Sequence, residues 1–179
     1  MVQRLFLYGK ADCMLYAVYG ILAVLLIVID QVTKYLTRAY IPLGDSVTFI
    51  PHVMDFTYVK NTGAAFSILR EHTWLLTLFS AVIVAVILVM AARREIKGKL
   101  GLFTATLIVA GGMGNLIDRV FLGYVTDMLK TTFMEFPVFN FADCCITVGV
   151  VLLVIYVLFF YKDDKKEGRN GTDLPADHP

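Results

Sequence analysis

Asp127 and Asp143 are the residues of this chain best suited to chemistry. Two carboxylates brought together in a partly dry site cannot both ionise freely, so one pKa rises and the pair holds a single proton. One member can then take a proton from water while its protonated partner polarises a carbonyl, which is how an acid pair hydrolyses a peptide bond. Around them stand Gly111-Gly112-Met113-Gly114-Asn115-Leu116-Ile117-Asp118-Arg119, Val125-Thr126-Asp127-Met128 and Phe139-Asn140-Phe141-Ala142-Asp143, all between two long apolar segments. Ionisable groups at the edge of a bilayer cost free energy, and those that persist usually line a site or a pathway. Spacing alone does not bring the two aspartates together; it places them at one depth.

Rival chemistries have less support. The histidines, His52, His72 and His178, all lie outside this stretch, so a Cys–His peptidase built on Cys144 or Cys145 would need His52 or His72 from a distant loop. Ser67 with Lys34 or Lys60 could form a Ser–Lys hydrolase, but nothing in the spacing favours it. No His or Cys pattern has zinc-ligand spacing, and no Gly-rich loop follows a strand to hold a nucleotide. The expectation is no metal and no cofactor. The adjacent cysteines read as packing residues.

The elements that must position these residues are membrane spans. The 179 residues suggest one domain, 58% of them hydrophobic with a net charge of +1, and the mean hydropathy is +0.72. That charge argues against a nucleic-acid-binding role, which needs a concentrated basic face. A helix crossing the hydrocarbon core takes about 20 apolar residues. Met14–Ile29, Trp74–Ala92, Leu100–Ile117 and Ala142–Tyr161 qualify. The first continues into Asp30-Gln31-Val32-Thr33-Lys34 and not into a small-residue cleavage site, so it reads as a retained helix. Arg4 and Lys10, then Arg93, Arg94, Lys97 and Lys99, then Lys162, Lys165, Lys166 and Arg169 all fall on one side, the cytoplasm, with both termini. Asp30, Asp118 and Asp143 then close or open their helices at the outer boundary.

Residues 1–13 read as a lead with no clear structure. Asp30 and Lys34, four apart, share a helix face as an ion pair; spacing favours an interfacial anchor over a support for the polar zone. Pro42 and Pro51 break any helix. Val47–Ile50 is β-prone, and Met54, Phe56 and Tyr58 alternate with Asp55, Thr57 and Val59 as in a strand with one buried face. Lys60-Asn61-Thr62-Gly63 supplies a turn before a second apolar stretch, Ala64–Leu69. By residue type Asn61 reads as a turn residue. The glycines of 111–114 let helices approach closely, and Asp143 suits the positive end of a helix dipole. Asp118 and Arg119, adjacent on a helix, point apart and need separate partners. Met128–Phe136 reads as an interfacial helix ended by Pro137, and the tail 162–179 as disordered.

Five blocks in order resemble those of the lipoprotein signal peptidases (signal peptidase II) over residues 14–161. They are Asp30-Gln31-Val32-Thr33-Lys34, Asn61-Thr62-Gly63-Ala64-Ala65-Phe66, Gly111 through Asp118-Arg119, Val125-Thr126-Asp127 and Phe139-Asn140-Phe141-Ala142-Asp143. The resemblance implies an aspartyl endopeptidase of the bacterial inner membrane that removes signal peptides from prolipoproteins, cutting before a diacylglyceryl-modified cysteine. Asp127 and Asp143 match its catalytic dyad. Asn61, Asn115, Asp118, Arg119 and Asn140 match residues that shape and support the site, and Asp30 and Lys34 match the first block. Met128 stands where the family usually has Phe. The fold expected is an all-α membrane protein: a single domain over 1–161, with four transmembrane helices, an extracytoplasmic β-cradle at 41–70 and a short interfacial helix at 128–136. The partners expected are the prolipoprotein substrate and membrane lipid, with the enzyme a monomer and its site near the outer face. A proton relay would spread carboxylates over several depths, and a scaffold would tolerate their substitution.

Overall fold

A computed structural model describes residues 2–63, 73–96 and 98–160, with side chains from residue 13 to 159 within those ranges. Helix α1 (Val2–Tyr40) is followed by strands β1 (Ser46–Ile50) and β2 (Met54–Asn61), and then by helices α2 (Thr73–Ala92) and α3 (Gly98–Leu122). Strand β3 (Val125–Thr131) and helix α4 (Phe141–Ile155) complete the order, and a π-helical turn, Tyr156–Phe160, prolongs α4. Among the described residues, four helical stretches are long and apolar enough to cross a membrane: Cys13–Tyr40, Thr73–Ala92, Gly98–Leu122 and Phe141–Phe159. The apolar stretch Ala64–Leu69, Ser67, His72, Lys97 and the tail 162–179 lie outside the described residues.

Helix α3 is the hub, packed against α1, α2 and α4. Buried residues make up 67% of its apolar window against 6% in α1 and α2, so those two helices present most of their apolar surface outward, as lipid-facing helices do. The glycines explain the close packing. A Cβ on Gly111 would run into the Ala142 carbonyl of α4, one on Gly112 into Val84 of α2, and one on Gly114 into the Asp30 carboxylate of α1. Each glycine thus admits a different neighbour, the small-residue packing expected between membrane helices.

The polar ends of three helices meet a small antiparallel sheet of order β1-β2-β3. Strand β2 is central, pairing Val47 with Phe56 on one side and Asp127 with Val59 on the other. Arg38 Nη1 donates to Thr126 Oγ1 at 2.8 Å, and Thr126 N–H to Asp118 Oδ2 at 2.8 Å, which fixes β3 against α1 and α3. At the other end of the bundle Tyr16 Oη donates to the Ile96 carbonyl at 2.7 Å, so the α2–α3 link with Arg93 and Arg94 lies away from the sheet.

Several expectations need correction. Residues 128–136 form no interfacial helix: Val125–Thr131 is strand β3, and no helix follows before Phe141. Val125, Thr126, Asp127 and Met128 are all buried, because β2 pairs with one edge while α1 and α3 cover the strand. Burial on both faces removes the alternation by which a strand is recognised. The hairpin joins β1 to β2 through Pro51–Val53, and Lys60-Asn61 belongs to the end of β2. Within β2 both Thr57 and Tyr58 are buried, since the register against β3 shifts between Phe56 and Val59; such a bulge re-aims successive side chains. Residues 2–13 are helical, and α1 runs past Asp30 to Tyr40. Asp30 therefore lies within a spanning helix and does not close it, which is tolerable because its charge is paired inside the bundle. Likewise α3 continues past Asp118 to Leu122.

Candidate active site

Asp127 arrives on β3 and Asp143 on the first turn of α4, and both line one cavity of about 950 Å³ with Asn61, Asn115 and Arg119. Its other walls include Val59, Phe136, Val138, Phe139 and Ile146. A polar floor with apolar walls suits an extended, partly apolar ligand.

Asn140 ties the two acids together. It is the N-cap of α4, with extended backbone (φ −133°, ψ 178°). Its Oδ1 accepts the Asp143 N–H at 3.0 Å, and the Asp143 Oδ2 accepts the Asn140 N–H at 3.2 Å, a reciprocal capping box. Its side-chain Nδ2 donates to Asp127 Oδ1 at 2.7 Å. Asp143 is thus a helix-capping residue and a cavity carboxylate at once.

Asn61 also has two roles. Its Oδ1 accepts the Gly63 N–H at 2.9 Å, as a turn residue would, while its Nδ2 donates to Asp127 Oδ2 at 2.8 Å. It stands opposite Val125, and Val59 opposite Asp127, so the amide reaches diagonally across the strand pair. With both oxygens of Asp127 accepting amide N–H groups, its pKa is nonetheless raised to about 6. Burial is the main cause and the Asp143 charge the second; the Asn61 and Asn140 hydrogen bonds oppose them.

Behind Asp143 lies a buried ionic network. Asn115 Nδ2 donates to Asp143 Oδ1 at 2.7 Å, and Asn115 Oδ1 accepts from Lys34 Nζ at 2.9 Å. Lys34, fully buried, pairs with Asp30 Oδ2 at 2.9 Å and Asp118 Oδ2 at 3.6 Å. Asp30 Oδ1 accepts the Ala142 N–H at 3.0 Å, anchoring the start of α4 to α1. The Asp30–Lys34 pair is therefore part of the polar zone and no interfacial anchor, since both side chains face inward. Arg119 lines the cavity, and its Nε is buried with no hydrogen-bond partner among the described residues. Asp118 turns away to Thr126, Lys34 and Arg38, so the two adjacent residues do have separate surroundings.

Two contributors carried no role in the sequence reading. Gln31 Nε2 donates to Asp30 Oδ2 at 3.1 Å and to the Gly114 carbonyl at 3.0 Å. Arg38 lies 3.8 Å from Asp118 Oδ1; it follows Lys34 by one helical turn, and that shared face was the available signal. Cys144 lines the cavity, and Cys145 is buried; neither forms a disulfide. Lys34 is committed to its two carboxylates and is no free amine for a Ser–Lys pair, while Lys60 lies over the Tyr124 ring at 4.9 Å.

The fold and site define a membrane-embedded enzyme class, a helical bundle with a carboxylate-lined cavity beneath a small sheet. Two solved structures, each described as a bacterial membrane enzyme determined by the in meso method, are similar to it in fold. One, at 2.3 Å resolution, matches with a TM-score of 0.75 and 30% identity over 90% of this chain and 95% of its own. The other, at 1.9 Å, matches with a TM-score of 0.73 and 32% identity over 80% and 94%. The family model "Signal peptidase (SPase) II" matches residues 22–159. The lipoprotein signal peptidase of Enterococcus faecalis is 42% identical over 89% of this chain and 98% of its own length. That of Lactiplantibacillus plantarum is 41% identical over 84% and 98%. The chain belongs to the signal peptidase II family and is a multi-pass membrane protein.

Proposed function

We propose that this protein is an aspartyl endopeptidase that removes signal peptides from bacterial diacylglyceryl-prolipoproteins, cutting before the lipid-modified cysteine. The observation that carries the reading is the junction at Asn140, which hydrogen-bonds to Asp127 and to Asp143 where both open onto one cavity.

The chemistry follows from the two environments. Asp127, pushed up to about 6 by burial and by its neighbour's charge, holds the shared proton. Asp143 accepts a proton from water as the oxygen attacks the scissile carbonyl, while Asp127 gives its proton to the carbonyl oxygen. Collapse of the tetrahedral intermediate returns a proton to the leaving nitrogen, and the amide bond breaks. Arg119, whose side chain lines the cavity, is placed to meet a substrate main-chain carbonyl. Apolar cavity walls and outward-facing helices suit a substrate whose acyl chains stay in the bilayer while its peptide enters the polar zone.

Basic residues of the α2–α3 link, at the end opposite the sheet, support a cytoplasmic position for that link and the termini. The sheet and cavity then lie near the outer face, where the enzyme works as a monomer among membrane lipids. The direct test is turnover of a diacylglyceryl-modified prolipoprotein by Asp127→Asn and Asp143→Asn. Each is expected to lose about 10⁴-fold in kcat while remaining folded and inserted. Turnover near the wild-type rate by either variant would reject the dyad.

A further inference from the structure

Three asparagines aim N–H groups at the aspartates, and each amide is held by a donor at its own oxygen. For Asn61 the donor is the Gly63 N–H at 2.9 Å, and for Asn140 the Asp143 N–H at 3.0 Å, both from the backbone. For Asn115 it is a side chain, the Lys34 ammonium at 2.9 Å. The two ends of a carboxamide have nearly the same shape, so hydrogen bonding alone decides which end faces a carboxylate. Flipped, Asn115 would set its oxygen against Asp143 Oδ1 and its NH₂ against Lys34 Nζ. Acceptor would face acceptor and donor would face donor. Lys34 has no acceptor with which to compromise.

Lys34 also has an expensive place for a structural tie. An ammonium with no solvent exposure has its charge balanced by the carboxylates of Asp30 and Asp118, and apolar residues of similar volume would join α1 to α3 as well or better. What apolar residues could not do is donate to Asn115 Oδ1. Resting on the aspartyl dyad proposed above, we infer that Lys34 is a positioning residue for peptide-bond hydrolysis. Its ammonium locks the Asn115 amide with Nδ2–H on Asp143 Oδ1, so that the remaining lone pairs of Asp143 are presented to the cavity. Asp30 and Asp118 hold the ammonium in place, and Gly114 leaves room for Asp30.

The test is a double-mutant cycle on the full chain, reading kcat and KM separately with a diacylglyceryl-modified prolipoprotein. Lys34→Met is made together with Asp30→Asn, which removes the charge that Lys34 would leave unpaired. This pair is expected to lose on the order of 100-fold in kcat, with KM changed by less than roughly twofold. Asn115→Leu is expected to lose the same factor. All three substitutions together should lose no more than Asn115→Leu alone, because groups acting through one contact do not add. Losses that multiply, or an unchanged kcat in the Lys34→Met pair, would overturn the inference. If that pair fails to fold, Lys34→Gln with Asp30→Asn decides: an amide can accept as well as donate, so it does not lock Asn115 as an ammonium does. A folded enzyme of that second pair with normal kcat overturns the positioning role, and a folded one with kcat lost supports it. Failure of the dyad is read separately, from retained turnover in Asp127→Asn or Asp143→Asn.

Discussion

The side chain of Asn140 donates to Asp127 Oδ1 at 2.7 Å, joining strand β3 to the cap of helix α4. One amide thereby does two separable things: it caps a helix through its oxygen and holds an acid through its nitrogen.

Asn140→Ser separates them. A serine hydroxyl can still cap α4, so thermal unfolding in detergent should move little, whereas Asn140→Ala should cost about 1 kcal/mol. Both lose the donor to Asp127, and kcat should fall on the order of 100-fold in each. If Asn140→Ser keeps full activity, Asn140 matters only to the helix.

The pH dependence follows from Asp127. With its pKa raised to about 6, kcat/KM should decline as pH rises above about 6, where the pair loses its shared proton. The Asn61 hydrogen bond lowers this pKa, so Asn61→Leu should move that limb to higher pH while reducing kcat. A limb that stays in place would separate it from Asp127. The stability sign agrees: the folded pKa lies above the ordinary aspartate value of 3.8, so Asp127 contributes stability fully below about pH 4 that is lost as pH rises through about 6. The whole contribution is at most about 3 kcal/mol, readable as the pH dependence of unfolding that Asp127→Leu lacks.

Gly114 and Gly20 make a paired test of packing. A Cβ at Gly114 would strike Asp30 Oδ2, and one at Gly20 would meet nothing within 4 Å. Gly114→Ala should destabilise by about 1–3 kcal/mol and reduce activity by displacing Asp30 from Lys34. Gly20→Ala should be neutral or slightly stabilising. Equal melting temperatures for the two variants would mean that α3 is not held by these close approaches.

Where the sequence could be read, and where it could not, has physical causes. Trp74–Ala92 and Ala142 onward were legible as spans because hydropathy reports lipid exposure directly, and observed α2 begins at Thr73 and α4 at Phe141. The end of α1 was not legible: Asp30 and Lys34 look like a terminus until their partners on α3 are known. Strand β3 was hidden for the opposite reason, since its consecutive buried residues show no period. For the site, residue types and the resemblance named Asp127, Asp143 and the three asparagines, but which oxygen meets which N–H depends on β3 pairing with β2 and on the cap of α4. Those contacts are between distant parts of the chain, and local pattern carries no record of them.

Asp118 tests whether network and dyad are distinct. Its Oδ2 accepts the Thr126 N–H at 2.8 Å, and it lies 3.6 Å from Lys34 and 3.8 Å from Arg38. It therefore docks β3 onto α3 and balances two cations, without lining the cavity of Asp127 and Asp143. Asp118→Asn leaves Lys34 with Asp30 alone and weakens the acceptor for Thr126. Because removing one partner strands the other charges in the bundle, the loss should be about 3 kcal/mol of stability. The effect on kcat in the surviving folded fraction should be smaller than for Asn115→Leu, since the Asn115 contact to Asp143 is left intact. Measuring unfolding and kcat on the same preparation decides the matter. An Asp118→Asn enzyme that melts like wild type yet loses turnover as Asp143→Asn does would make Asp118 a member of the catalytic group.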